Sequence, residues 1–207
     1  MSRLNEHNVR GWSVVLTEFS LREISVMAEV SPTYLMVWRN RGHLPGTRDT
    51  SGTFTSRDAA EILVRQCLTE GNLAPGQSRG LGAHGADAVL WYAVVNHEGV
   101  CEIWGTDSDT AHCQAEFEKN TDLAGEILRF EETPPGYIWR DGSKTPTLEH
   151  DVSSLLANST SRTHFIVDLG TIASDMVRLA NRPLFSINAS PGSKGKMVRR
   201  FSRISSA

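Results

Sequence analysis

The side chains able to do chemistry fall into four groupings. Gly80-Leu81-Gly82-Ala83-His84-Gly85 spells GxGxxG, the glycine pattern that lets a pyrophosphate approach a helix N-terminus. That pattern works after a strand and at the opening of a helix. Here it follows a Pro/Gly-rich stretch and precedes an apolar run, so nucleotide binding is not expected. His97, Cys101, His112 and Cys113 are ligand types for zinc or a thiophilic metal, but their spacing is that of no finger or ribbon, and Cys113 on a helix reads as a small buried thiol. Asp107, Asp109 and Glu118 occupy the first, third and last places of a calcium loop, yet Ala111 and His112 stand where an oxygen ligand and Gly belong. His150-Asp151, and His164 with Asp168, lack the nucleophile or paired carboxylates that would make them an acid–base site. No catalytic residue, cofactor or metal is assigned, and the chain is not expected to be an enzyme.

Composition narrows the class. With 39% hydrophobic and 22% charged residues over 207 positions, the chain is neither a disordered tail nor a collagen-like scaffold. Three cysteines with no CxxC pair read as reduced thiols rather than a disulfide framework. The longest apolar run, Ala88 to Val95, falls well short of the roughly 20 residues that cross a bilayer, and residues 1–19 lack the order of a secretory signal. No membrane partner and a cytoplasmic location are therefore expected. The net charge of −3 is segregated: residues 1–80 hold nine Lys/Arg and eight Asp/Glu, residues 81–190 seven and sixteen, and residues 191–207 five and none. Such a division fits a two-domain protein with local polyanion-facing surfaces. Its acidic part would be held away from DNA, or would simply keep the protein soluble.

The elements that must position these groups divide near Gly85, where Gly71, Gly76, Gly80 and Gly82 with Pro75 weaken any helix over residues 70–85. Beyond it, the Val-rich and aromatic run Ala88–Val95, then His97-Glu98-Gly99 and Val100–Trp104, reads as a hairpin, with a buried helical start to the run as the alternative. Thr110 to Phe130 reads as one long or two short helices, Tyr137–Trp139 as a strand before an Asp141-Gly142 turn, and His164–Leu169 as a further strand. Thr171–Ala180 then reads as a helix and Leu184–Ile187 as a last strand, an α+β order. The Ser/Gly/Lys/Arg-rich stretch 190–207 reads as a flexible basic tail. The expected fold is mainly α with α+β: a helical domain over 1–85, an α+β effector or dimerisation domain over 86–189, and that tail.

The front block is dense in helix punctuation. Ser20 reads as an N-cap with Glu23 as its reciprocal partner, and Phe19 with Ile24 as the hydrophobic staple. That helix runs to about Ala28. Ser31 then caps a second helix with Pro32 at its first position, Gly42 ends it, and residues 43–52 make an exposed excursion. Thr55 and Asp58 open a third helix through about Thr69, with Ile62, Leu63 and Gln66 or Cys67 at helical spacing. Two short helices joined by about three residues have the spacing of a helix-turn-helix.

At about 100° per residue, Ser31, Leu35, Trp38 and Gly42 fall on one face of the second helix, and Thr33, Met36, Val37 and Asn40 on the other. A half-apolar outer face suits the major groove, where thymine methyls take apolar contacts and Asn can bond adenine. Tyr34, Arg39 and Arg41 flank it and can reach phosphates. The alternative is that Met36 and Val37 pack beneath the third helix or the second domain.

Phe19-Ser20-Leu21-x-Glu23-Ile24-Ser25, then Val30-Ser31-Pro32-x-x-Leu35-x-x-Trp38-x-x-Arg41-Gly42-x-Leu44-Pro45, then Phe54-Thr55-x-x-Asp58 resembles the winged helix-turn-helix of MerR-type transcription regulators over residues 19–70. The resemblance implies a homodimeric regulator that binds double-stranded DNA and works with RNA polymerase. Its second helix would enter the major groove, and its wing, about residues 46–53 with Arg48, would touch the backbone. Met36 stands where members of the family carry Arg, and Glu29 where they carry a turn Gly. Two other readings use the same residues: an excisionase-like factor that bends DNA, and a protein-interaction module built on a helix-turn-helix.

Overall fold

The computed structural model describes residues 6–45, 52–119, 122–128, 130, 132–142, 144–192 and 196–202. They form a mixed α+β structure. In chain order its elements are β1 (Glu6–Val9), β2 (Trp12–Leu16), β3 (Glu18–Ser20), α1 (Leu21–Met27), α2 (Pro32–Asn40), β4 (Thr53–Thr55), α3 (Ser56–Glu70), α4 (Arg79–Asn96), β5 (Cys101–Gly105), α5 (Asp107–Lys119) and α6 (Asp122–Leu128). There follow β6 (Tyr137–Asp141), β7 (Thr147–Glu149), α7 (Ser153–Asn158), β8 (His164–Asp168), α8 (Leu169–Ala180), β9 (Phe185–Asn188) and β10 (Val198–Phe201). No helix among the described residues is long and apolar enough to cross a membrane.

Three sheets organise the described residues. The largest runs β1-β2-β9-β5-β10, all antiparallel except the β9–β5 pair; β3 pairs with β4, and β7-β6-β8 make a third, antiparallel sheet. The β1–β2 hairpin turns through Arg10 and Gly11, both at positive φ (51° and 86°), as a two-residue turn matching strand twist requires. One face of the large sheet buries Val9, Trp12, Val14, Ile103, Phe185 and Ile187, and α5 packs against β5 and β10.

The segment Ala88–Val95 is helical, not a strand. It lies in α4, which buries Ala86, Ala88, Val89, Leu90, Ala93 and Val94. A helix covered on nearly every side shows a continuous apolar run, and such a run cannot be distinguished from a buried strand by periodicity alone. The glycine cluster behind the expected break at residue 85 opens this same helix. A Cβ on Gly82 would overlap Arg65 Cγ, and one on Gly85 would stand 2.9 Å from Val64 Cγ1. The glycines are what lets α4 close on α3, so the division at 85 falls inside a packed helix. The contacts of Gly82 and Gly85 are with protein side chains, which accounts for the GxGxxG spelling without a pyrophosphate.

The stretch 190–207, expected to be a flexible tail, contributes β10, which pairs with β5. Ser202 is buried and its Oγ accepts a hydrogen bond from Cys101 N at 3.1 Å. Backbone pairing, the Ser190 and Ser202 hydroxyls and two arginine ion pairs hold a segment whose side chains are too polar to bury much surface. The segregated charge likewise joins segments instead of separating domains. Arg10 pairs with Glu116 and Glu126, Arg57 with Asp87, Arg199 with Glu102, and Arg200 with Asp107. The cations of the front and of the basic stretch are thus bonded to carboxylates of the acidic middle.

The close approach of α3 and α4 can be tested directly. Gly82→Val should lower unfolding free energy by about 1–3 kcal/mol through overpacking. Gly80→Ala, where a Cβ meets nothing within 4 Å, should leave it unchanged or raise it by up to about 1 kcal/mol. Urea denaturation of the two variants beside the parent measures both.

Candidate nucleic-acid interface

The outer surface of α2 is built by local chemistry. Ser20, the last residue of β3, caps α1: its backbone N–H donates to Glu23 Oε2 at 2.7 Å, and its Oγ accepts from Glu23 N at 3.3 Å. Thr55, the last residue of β4, caps α3 in the same reciprocal way with Asp58. Since Phe19 and Phe54 are opposed and buried in the β3–β4 pair, the starts of α1 and α3 are fixed side by side.

Between α1 and α2 the chain turns through a Schellman motif. Val30 N donates to Ser25 O at 3.0 Å and Glu29 N to Val26 O at 3.2 Å, with Glu29 at φ +53°. The turn keeps the left-handed backbone that glycine adopts freely, and Glu29 carries it under strain. Ser31 Oγ then accepts from Tyr34 N at 3.1 Å and Pro32 opens α2. A second Schellman motif ends α2, with Gly42 at φ +68°, Gly42 N on Arg39 O at 2.9 Å and His43 N on Trp38 O at 2.8 Å. Leu44 and Pro45, expected in an exposed excursion, are buried instead, because Leu44 belongs to the core.

The inner face of α2 is Leu35 and Trp38, both buried. Trp38 lies 5.2 Å from the Tyr34 ring and 5.7 Å from the guanidinium of Arg65. On the outer face Thr33 and Asn40 are exposed, as are Met36 at 42% and Val37 at 39%. Those two side chains therefore do not pack beneath α3 or the later elements. Arg41 is exposed; Tyr34 and Arg39 are half-buried, Tyr34 against the core cluster. Arg48 lies outside the described residues, as do residues 46–51. One helix thus gathers seven of the eight candidate residues: four on its open face, three at the flanks.

Arg65 is the residue here that gave no signal in sequence. It is buried in α3, donates from Nη2 to Pro75 O at 3.1 Å, and faces Glu61 at 3.5 Å. Only the fold reveals that it supports the Trp38 ring from behind.

The other groupings serve structure. Asp168 caps α8 through Thr171 N at 3.0 Å, while His164 stacks on Trp139 at 4.9 Å. Asp109 accepts from Thr106 Oγ1 at 2.8 Å and from Ser190 Oγ. His97 bonds Ser174 Oγ at 3.1 Å and His112 sits edge-on to Trp12. Among the described residues no three His, Cys, Asp or Glu stand together as a metal site. Burial, helped by Glu70, pushes the Cys67 thiol up to about 11, and burial with Glu116 pushes Cys113 up to about 12. Cys101 is raised by the same cause, so all three stay protonated at neutral pH.

No protein-family model, curated protein or solved structure matches this chain.

The turn and the cap each have a measurable consequence. Glu29→Gly should raise stability by about 0.5–1 kcal/mol by relieving the left-handed backbone, read as a higher urea midpoint. The Ser20 backbone N–H, then its hydroxyl and Arg182, hold the Glu23 carboxyl below its ordinary value near 4.5. A lowered native pKa adds stability that is complete above the unfolded value and is lost as pH falls through the native one. Glu23→Gln should therefore flatten the fall of stability below about pH 4.5, measured as urea midpoints across that range.

Proposed function

We propose that the protein binds double-stranded DNA as a winged helix-turn-helix regulator of MerR-like type, laying α2 in the major groove. The observation that carries this reading is the open outer face of α2, where Met36, Val37, Thr33 and Asn40 are left to solvent beside Arg39 and Arg41. The order strand, helix, four-residue turn, helix, strand, helix over β3 to α3 supports it, because it lets one helix be held against the body while the next presents a free face. Thr33, Met36, Val37 and Asn40 would read base edges, and Tyr34, Arg39, Arg41 and Arg48 would hold phosphates. A small module of this kind buries roughly 600–1,000 Å² on DNA, so a symmetric pair on two half-sites is the working form.

The exposed Met36 and Val37 also favour a second reading, a protein-binding helix face. A salt-titrated binding assay on labelled duplexes separates the two. Replacing Arg39 and Arg41 together by Ala should weaken binding to every duplex and reduce the salt slope by about 1 for each phosphate left without its cation. Asn40→Ala should instead relax sequence choice, by about 1–3 kcal/mol of discrimination. Equal affinity of all variants and the parent would overturn the DNA reading, and protein association persisting at salt that abolishes DNA retention would favour the second.

A further inference from the structure

On the side of α4 away from Arg65, the first turns of that helix, with Arg140, residues 144–146 and Leu148, line a half-open cavity of about 710 Å³. Its volume falls within the range of small-molecule pockets, about 300–1,000 Å³. Leu73, Leu81, Pro146 and Leu148 form an apolar wall, and Gln77, His84, Arg140, Lys144 and Thr145 supply polar groups; among the described residues no Asp or Glu lines it. Arg140 donates from Nη2 to Gly71 O at 2.8 Å, and its guanidinium lies 5.4 Å from the Phe165 ring centroid. Its Nε is shielded from water, with no hydrogen-bond partner among the described residues. His84 Nδ1 donates to Gly80 O at 2.9 Å, which leaves Nε2 for other contacts. Lys144 stands at the rim, tethered to Asp141 at 2.6 Å. Ser78 caps α4 without a side-chain bond, so the helix start beside the cavity keeps its positive end.

Cationic and donor groups beside a leucine wall ask for one kind of guest. An inorganic anion would leave most of the volume and the apolar wall uncovered, and a neutral apolar molecule would leave the cationic groups of Arg140 and Lys144 without a counter-charge. We propose that this cavity binds a small organic anion, a carboxylate or phosphate head carried on an apolar body. The head meets Arg140 and Lys144, and the body lies on Leu81 and Leu148. This site is independent of the reading of α2.

The test is an amide NMR titration of the full chain with four probes: phenyl phosphate, benzoate, inorganic phosphate and benzyl alcohol. The expected result is saturable shifts confined to residues 77–84 and 140–148 with phenyl phosphate, benzoate or both, at least about tenfold tighter than with the other two probes, a difference of about 1.4 kcal/mol. Which organic anion binds tighter identifies the head group. Lys144→Glu, a rim change that leaves the core untouched, should weaken that binding by at least about tenfold while the remaining amides keep their positions. Arg140→Gln should weaken it further. Shifts scattered over the chain, no saturation with either organic anion, equal binding of benzyl alcohol or inorganic phosphate, or an unchanged affinity in Lys144→Glu would each overturn the proposal.

Discussion

A single buried cation holds the helical part of the molecule together. Arg65 has almost no contact with water, and desolvation lowers its proton affinity while Glu61, one turn earlier, raises it. A charge in such a place is tolerated only with partners, and losing one partner of a buried pair costs several kcal/mol. Here the partners come from three directions: Glu61 on its own helix, the Pro75 carbonyl from the loop beyond α3, and the Trp38 ring of α2. The aliphatic stem meanwhile fills the space that Gly82 leaves on α4. The inner face of α2 and the start of α4 are therefore placed by the same side chain, and the outer face of α2 stays open because its inner face is anchored.

What was legible in the sequence is what depends on near neighbours. Ser20 with Glu23, Thr55 with Asp58, and Ser31 with Pro32 announce helix starts because the groups they satisfy lie three residues away. The two faces of α2 follow from helical period alone. The large sheet could not be read in this way. Its β2–β9 pair joins residues as far apart as Ser13 and Asn188, 175 positions in sequence, and pairing across that separation leaves no local mark. The β1–β2 hairpin did leave one: Val9-Arg10-Gly11-Trp12 is a two-residue turn ending in glycine between apolar residues. The cavity lies at the other extreme, since Leu81 and His84 meet Arg140 and Lys144 only because α4 and the third sheet pack together.

Glycine was the residue most open to misreading. Over residues 71–85 its density suggests a linker, since glycine weakens helices. In the folded chain three of these glycines are contact points: Gly71 lies under the Phe165 ring, Gly82 under Arg65 and Gly85 against Val64. Propensity measures the cost of placing glycine in a helix, and it is blind to what the missing side chain lets come near. Charge misled for a related reason. Counted by segment it suggests separate bodies, but Arg10, Arg57, Arg199 and Arg200 each reach carboxylates distant in sequence.

The strand order β1-β2-β9-β5-β10 bears on how the molecule is made. During synthesis β1 and β2 leave the ribosome well before β9, so β2 finds its second neighbour only when residues 185–188 have been added, and β5 waits for the same strand. Until then a two-stranded ribbon carrying Trp12 and Val14 exists without the layer that shelters it, while α1 to α3 can already be capped and folded. Nascent chains of this protein therefore pass through a long interval with a sticky, half-built sheet, and a chaperone that shields apolar strands would act in that interval.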